Sequence, residues 1–465
     1  MTDITTGAVL DALRAALGPA VTTDPAQLEL GRSDQSGHRS ASTPLAWVTA
    51  RDTADVQATL RIASEHSVPV VTRGAGTGLA GGAIAGAGEI VLSTLAMNAV
   101  LEVNAPDELA VVQPGVINGD LNAHLEPFGL WFAPDPASKA ISTVGGNIAT
   151  NAGGLLCAKY GVTREAVLAL KVVRADGSLL SLGHRSVKGV TGLDLTALMI
   201  GSEGTLGVIV EATVKLLPIP TGTVVTIGAY FGSMHPAAAA SAAITAARIR
   251  PAAMELLDAR SLEYISAYLG LEFEGAGNAS AEGAPGRSYL LVQTDGAASE
   301  GEAEAALGII RSFGGDASLT TDPAEGERML AVRRAFHPAL VAQGTVLIED
   351  VAVPRSALPA MFDAITAIEQ RYGLPIPTVA HAGDGNLHPN FLFSGLTVPE
   401  PVWLAAGELF AAALALGGTL TGEHGVGILK RRWLGDELGA EQLELQRQIK
   451  AVFDPLGILN PGKVL

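Results

Sequence analysis

Three glycine-rich segments punctuate the first half of this chain and limit what it can become. "VTRGAGTGLAGG" (71–82) follows a β-branched run, "PDPASKAISTVGGNIATNAGG" (134–154) holds four glycines, and "MIGSEGTLGVI" (199–209) repeats the theme. Short strand-like runs lie between them: "LAWVTA" (45–50), "VPVVTRG" (68–74), "EIVLST" (89–94), "LAVVQPG" (109–115) and "GTLGVIVEATVKLL" (204–217). A helix, "TADVQATLRIASEH", separates the first two runs. This texture implies an α+β domain with many strands and long loops.

Gly76, Gly78 and Gly81 satisfy the G-x-G-x-x-G spacing. A dinucleotide fingerprint requires a helix immediately afterwards, but "AIAGAG" and a strand follow, so that reading fails. What survives is a nest, in which successive backbone N–H groups face one anion, against a plain glycine turn. The second cluster adds hydroxyls at Ser138, Ser142, Thr143 and Thr150 and offers little that can pack a core. Three such loops in one domain suggest a long, polyphosphate-bearing ligand lying across it.

From 223 the rhythm becomes regular, with strands alternating with helices: "TVVTIGAYF", an alanine-rich helix, "AMELLD", a helix at 258–269, "SYLLVQTD", helices at 298–313 and 324–340, "TVLIEDVAV", a helix at 355–372, "IPTVAHAG" with "NLHPNFLF", and a helix at 399–416. This pattern suggests a sheet covered on one face. A small-residue loop, "EGAGNASAEGAPG", occupies 274–286. We place one domain at 1–220, opening with a helix at 3–17 (Leu10, Leu13 and Leu17 on one face), a second at 221–417, and a segment at 418–465 that returns to the first.

The chain has 465 residues and a net charge of −17, which argues against nucleic acid and against an anionic membrane surface as main partner. Its single cysteine, Cys157, excludes an intrachain disulfide and a thiolate zinc site. The N-terminus lacks the basic start and apolar core of a signal peptide, and the run "HPAAAASAAITAARIRPAAM" reads as a packed helix, not a membrane span. A cytoplasmic protein is expected, with peripheral membrane docking left open.

The remaining signal is histidine. "HAGDGNLHPNF" (381–391) is followed by "TGEHGVG" around His424. Asp384–Gly385 reads as a two-residue hairpin turn. Pairing about it sets His381 directly opposite His388, roughly 5 Å apart at Cβ, with Asn390 on the face of His388. Two imidazoles so placed can share a divalent ion, with Glu423 as third ligand; zinc, iron and manganese all suit that set.

These segments together resemble the vanillyl-alcohol oxidase-type flavoproteins, in the branch of D-2-hydroxyacid dehydrogenases: glycolate oxidase flavin subunits, D-lactate dehydrogenases and D-2-hydroxyglutarate dehydrogenases. The likeness runs from about 40 to 465 and includes "YGVTREAVLALKVVRADG" and the closing "DPLGILNPGK". It implies a two-part FAD-binding domain plus a cap domain with an antiparallel sheet covered by helices. It implies that Arg73, Gly74, Ala75, Gly76, Thr77, Gly78 and Leu79 cradle the FAD pyrophosphate. Pro114, Gly115, Pro134, Asp135, Ser138, Thr143, Gly145, Gly146, Asn147, Ala149, Thr150 and Gly153 would line the rest of the cofactor. Glu203, Gly207, Val208 and Ile209 would contact the adenine end or ring, and Asn386 and Asn460 the cofactor elsewhere. The first loop has no histidine to tether the flavin, so FAD is expected to be non-covalent and Cys157 a small buried filler.

The resemblance also implies a divalent metal on His381, His388 and Glu423, a base at His424, a substrate contact at Asn390 and a carboxylate-binding Arg333, with His337 one turn on lining the pocket. The implied reaction is oxidation of a D-lactate- or glycolate-like acid. Ile348 stands where users of dicarboxylates carry lysine, which weakens the D-2-hydroxyglutarate alternative. A flavin-dependent alkyl transfer, a metal hydrolase and a non-catalytic subunit are the other readings. The electron acceptor stays open among a quinone, a cytochrome, an electron-transfer flavoprotein and an iron–sulfur partner, as does a homodimer.

Overall fold

The structure, a computed structural model, describes residues 2–271, 287–395 and 397–465; the loop expected at 274–286 lies outside the described residues. The chain divides into two compact units. The first comprises Met1–Gly153, Gly161–Ile219 and Glu423–Leu465; the second comprises Gly154–Tyr160 and Pro220–Gly422.

The first unit holds two larger sheets. In one, β2 (Ala46–Thr49), β4 (Ile90–Ser93) and β3 (Val70–Arg73) run parallel in that order, and β1 (Val21–Thr22) adds antiparallel to β2. The helices Thr2–Leu17 and Thr53–Glu65 bury Val9, Leu13, Val56 and Leu60 against Val48, Val70 and Leu92. Asp52 caps the second helix by accepting the Asp55 N–H. The other sheet is antiparallel, ordered β5 (Val100–Asn104), β6 (Leu109–Val112), β10 (Val208–Lys215), β8 (Val167–Val173) and β9 (Leu179–Gly183). A small ladder joins β7 (Leu130–Trp131) to β11 (Leu217–Pro218).

The second glycine cluster does pack a core, against expectation. Val144 and Ile148 are fully buried on a short helix, Val144–Thr150, that the glycine content conceals. Thr143 caps it by accepting the Gly146 N–H at 3.2 Å. The apolar residues fall four apart, one helical turn, and anchor the loop while its polar residues remain on the other side.

The second unit is built on an eight-stranded antiparallel sheet. Its order is β15 (Asp316–Thr320), β12 (Val225–Phe231), β14 (Ser288–Thr294), β13 (Ala253–Leu257), β18 (Thr378–His381), β19 (Asn386–Phe393) and β16 (Thr345–Ile348), with β17 (Val351–Ala352) also on β19. Helices cover both faces rather than one. Leu257, Tyr289, Leu291 and Val379 pack under the helices Ala259–Leu269, Pro323–Arg334 and Phe336–Val341. The alternate residues meet Met234–Ala246 and Ser299–Ser312, and the helix Leu358–Tyr372 packs on the first of these. This is why the strands read as continuous apolar runs. The alanine-rich segment is indeed a packed helix, with Ala237, Ala238, Ala240 and Ile244 fully buried.

The piece 154–160 interrupts the first stretch and belongs with the second unit. Lys159 Nζ donates to the Asp295 carbonyl at 2.8 Å and pairs with its carboxylate, while the Tyr160 hydroxyl donates to Asp295 Oδ2 at 2.6 Å. No helix among the described residues is long and apolar enough to cross a membrane.

Candidate functional site

In the first unit the chain leaves β3 into an irregular loop. Among the described residues, none of the backbone N–H groups from Ala75 to Leu79 donates to a protein acceptor, although these residues are buried or half-buried. Five successive uncommitted donors are the chemistry of an anion cradle. Gly76 sits at φ +72°, and a side chain there would strike the Arg73 guanidinium. Gly78 leaves the loop open toward Asp34, at 3.7 Å from where a Cβ would stand.

Across the unit, Asn147 Nδ2, Ser142 Oγ and Asn118 Oδ1 are buried polar atoms with no protein partner. Such atoms are costly unless something supplies a bond. Thr143 Oγ1 lies hard against the position of Gly74, so the first and second glycine clusters meet. Ala149 and Thr150 end the short helix half-buried, and Thr150 donates back to Gly146 O at 3.2 Å. Pro134 and Asp135 are buried and Ser138 half-buried, with the Pro134 carbonyl accepting from Asn118 Nδ2 at 3.0 Å. The donor set of this unit fits a flavin dinucleotide.

Several residues expected to touch the cofactor also have roles within the protein. Arg73 is folded beneath its loop, donating to Ser33 O at 2.9 Å and Ala83 O at 3.0 Å. Gly115, Gly145 and Gly207 are glycine because backbone or Val172 would occupy the space of a Cβ. Gly153 makes room for the Glu423 carboxylate. Val208 is fully buried in one core and Ile209 packs in another.

Glu203 departs furthest from expectation. Its two oxygens accept the Val426 and Gly427 N–H groups at 2.7 and 2.9 Å, so it fastens the "GEHGVG" loop. Burial pushes its carboxyl up to about 7, against the pull of those bonds and of Lys430. Asn460 donates to Glu203 O at 2.7 Å and Gly82 O at 3.0 Å, tying the C-terminal tail to the same place. Its own Oδ1 accepts from buried Lys463 at 2.6 Å, a lysine that burial pulls down to about 8. On the fastened loop, His424 Nε2 lies 3.8 Å from Glu423 Oε1.

The second unit carries the histidines on the face of its sheet. The expected register is wrong by a step of two. His381 pairs with Asn386 and His388 with Val379, closing a four-residue turn, Ala382–Gly385. The cause is Asp384, whose side chain accepts the Asn386 N–H at 3.1 Å and stretches the turn beyond two residues. Because the slip is even, both rings stay on one face as diagonal neighbours, edge-to-face with centroids 5.0 Å apart. Their ring nitrogens lie within 4.8 Å of each other, close enough to share an ion.

Two buried residues that sequence reading passed over lie beside them. Glu255 Oε1 accepts from His381 Nδ1 at 2.7 Å, and its Oε2 from Arg333 Nε at 2.7 Å. Burial pushes the Glu255 carboxyl up, but His381 and Arg333 outweigh it and hold it below the usual range. Asp350 accepts from Asn386 Nδ2 and from Thr421 Oγ1, each at 2.5 Å, and stands 3.9 Å from His388 Nδ1. Asn386, expected at the cofactor, is thus held within the histidine cluster of the second unit. Asn390 is buried and donates to His388 O at 2.7 Å. His337 is exposed on its helix. An acidic residue inside an apolar buried strand, as in "AMELLD" and "VLIEDVAV", is the signal that could have found Glu255 and Asp350.

Models of known protein families match most of the chain. Residues 44–183 match the FAD binding domain model and 222–464 the model for the C-terminal domain of FAD linked oxidases. The chain is 41% identical to the glycolate oxidase subunit GlcD of Bacillus subtilis (strain 168), covering 91% of this chain and 89% of that one. It is 37% identical to a D-lactate dehydrogenase of Archaeoglobus fulgidus, over 88% and 89% of the two chains. A D-2-hydroxyglutarate dehydrogenase of Stutzerimonas stutzeri is 33% identical, over 99% of each. In fold it is similar to p-cresol methylhydroxylase, with a TM-score of 0.81 at 18% identity over 100% of this chain and 97% of that one. The chain belongs to the FAD-linked oxidases, an FAD-dependent oxidoreductase of the vanillyl-alcohol oxidase fold.

Proposed function

We propose that this protein oxidises a small D-2-hydroxyacid, D-lactate- or glycolate-like, to the 2-oxoacid. The observation that carries this is Arg333. Its Nε is fixed by Glu255, while its terminal nitrogens have no protein acceptor among the described residues. A guanidinium held from behind presents a flat fork to a carboxylate. It stands over the sheet face that bears His381 and His388, which suits an anion carrying a second polar group.

Bound FAD would supply the acceptor for the Cα hydride. A divalent ion on His381, His388 and Glu423, which follows Gly422 directly in the chain, would lower the pKa of the substrate hydroxyl. The remaining work falls to the protein. Arg333 holds the carboxylate and Asn390 borders the histidines. His424, beside Glu423, takes the hydroxyl proton as the hydride leaves. Asp350 accepts from Thr421 Oγ1, and Gly422 leaves room for the Asn386 amide, so the last residues of the second unit are held beside its histidine cluster.

Ile348 pairs with Asn390 across β16 and β19, which puts an apolar side chain on the same face. This favours a small substrate over a dicarboxylate. The test is anaerobic mixing with glycolate, D-lactate, L-lactate and D-2-hydroxyglutarate. We expect flavin bleaching fastest with D-lactate or glycolate; preference for D-2-hydroxyglutarate overturns the substrate assignment, and a colourless protein overturns the function. His424→Ala should keep its flavin and lose bleaching by roughly 100-fold or more.

A further inference from the structure

Glu255 lies in the middle of β13 with a fully buried side chain, directly across from His381 on β18. Its two oxygens serve different masters, His381 Nδ1 and Arg333 Nε, each at 2.7 Å. An ionised carboxylate only accepts hydrogen bonds, so His381 must carry its hydrogen on Nδ1. The neutral ring then keeps its lone pair on Nε2, the form that ligates a metal. The same carboxylate grips Arg333 at the one nitrogen that leaves both terminal nitrogens to point elsewhere.

We propose that Glu255 is a positioning residue that couples the two halves of the site: it sets His381 in the metal-accepting tautomer and aims Arg333 at the substrate carboxylate. This rests on the function proposed above. Neither half can be adjusted alone, because one group serves both. A carboxylate that merely neutralised a buried arginine would need no second bond to a histidine.

Glu255→Gln tests this with little change of shape. A carboxamide has one acceptor oxygen and one NH2 donor, and here it faces two donors. If its oxygen stays on Arg333, the NH2 faces His381 Nδ1 and selects the tautomer with hydrogen on Nε2, which blocks the metal. If its oxygen stays on His381, Arg333 Nε loses its acceptor and the fork turns away.

Zinc affinity, measured by competition with a chelator on the flavin-loaded protein, should fall about 10- to 100-fold, or KM for D-lactate should rise at least about tenfold. Flavin content should not change. Zinc affinity and KM both within twofold of the unaltered protein overturn the proposal. Should the variant fail to fold, 15N imidazole spectra of the unaltered, metal-free protein decide it. The His381 signal should show Nδ1–H with a bare Nε2, and the opposite tautomer overturns the proposal. An unaltered protein that binds no zinc and is bleached by no hydroxyacid defeats the functional reading instead, and does so in the control.

Discussion

Glu203 shows how a single side chain can hold the loop that bears His424 and set a pH dependence at once. It sits at φ +49°, a conformation costly for any residue but glycine, and accepts two N–H groups of the loop that bears His424. Its carboxyl is raised from 4.5 to about 7. The folded state therefore binds this proton more tightly than the unfolded chain does. The stability it lends is full below about 4.5 and is lost as pH rises toward 7, on the order of 3 kcal/mol. Glu203→Gln, neutral at every pH, should remove that slope. Thermal melting of both proteins from pH 4.5 to 7.5 checks it, and a difference that stays constant with pH would remove the titration from the account. The cost of one lost N–H bond in the variant, about 1 kcal/mol, should appear at low pH as a uniform offset.

At the scale of elements, the hairpin β18–β19 decides whether the two histidines can cooperate. Its turn depends on Gly385, at φ +91°, where a side chain would collide with the Val353 carbonyl. The Val353 N–H also donates to Gly385 O at 3.0 Å, so β17 and the turn are locked face to face. Gly385→Ala should cost about 1–3 kcal/mol from backbone strain alone, and the overlap adds to it. We expect a lower melting temperature and lost divalent-ion affinity with flavin content unchanged. Unaltered ion affinity would show that the turn does not set the histidines.

The same hairpin marks what the sequence makes legible. Most strands and helices of the second unit stand near where hydrophobic periodicity puts them, because burial on both faces leaves long apolar runs, but β15 (Asp316–Thr320) carries no such signal, and the helix expected at 324–340 and the strand "TVLIEDVAV" are each broken in two. The shared face of His381, His388 and Asn390 was legible, since it needs only the period of two. Their register was not, because a side chain, Asp384, chose the turn length. The helix Val144–Thr150 was hidden by glycines required for close packing, as at Gly145 against Pro114. The protein partners of Arg73 and Glu203, and Glu255 altogether, were not legible for one reason: a polar residue's partner lies far along the chain, 78 residues away for Arg333 and Glu255. Spacing cannot report such a partner.

At the scale of the molecule, the flavin cradle and the histidines draw on different cores. The loop Ala75–Leu79 and the orphaned Asn147 amide belong to the first unit, over cores built from Val70, Leu92, Val144 and Ile148. His381, His388 and Glu255 belong to the second, over Leu257, Leu291 and Val379. The cradle groups named here take their positions from the first unit's own cores. Removal of a divalent ion should therefore leave the flavin in place while disabling the chemistry. Dialysis against a strong chelator is expected to leave the visible spectrum intact and to slow hydroxyacid-driven bleaching by roughly 100- to 1,000-fold, the worth of several kcal/mol of charge stabilisation. Back-titration with zinc, iron or manganese separately should restore the rate, and the metal that does so at one equivalent is the native one. Flavin released together with the ion would mean that the two sites share a support. Bleaching unaffected by chelation would leave His424 and Arg333 to carry the reaction without a metal, and would recast His381 and Glu255 as a buried pair that holds the substrate arginine.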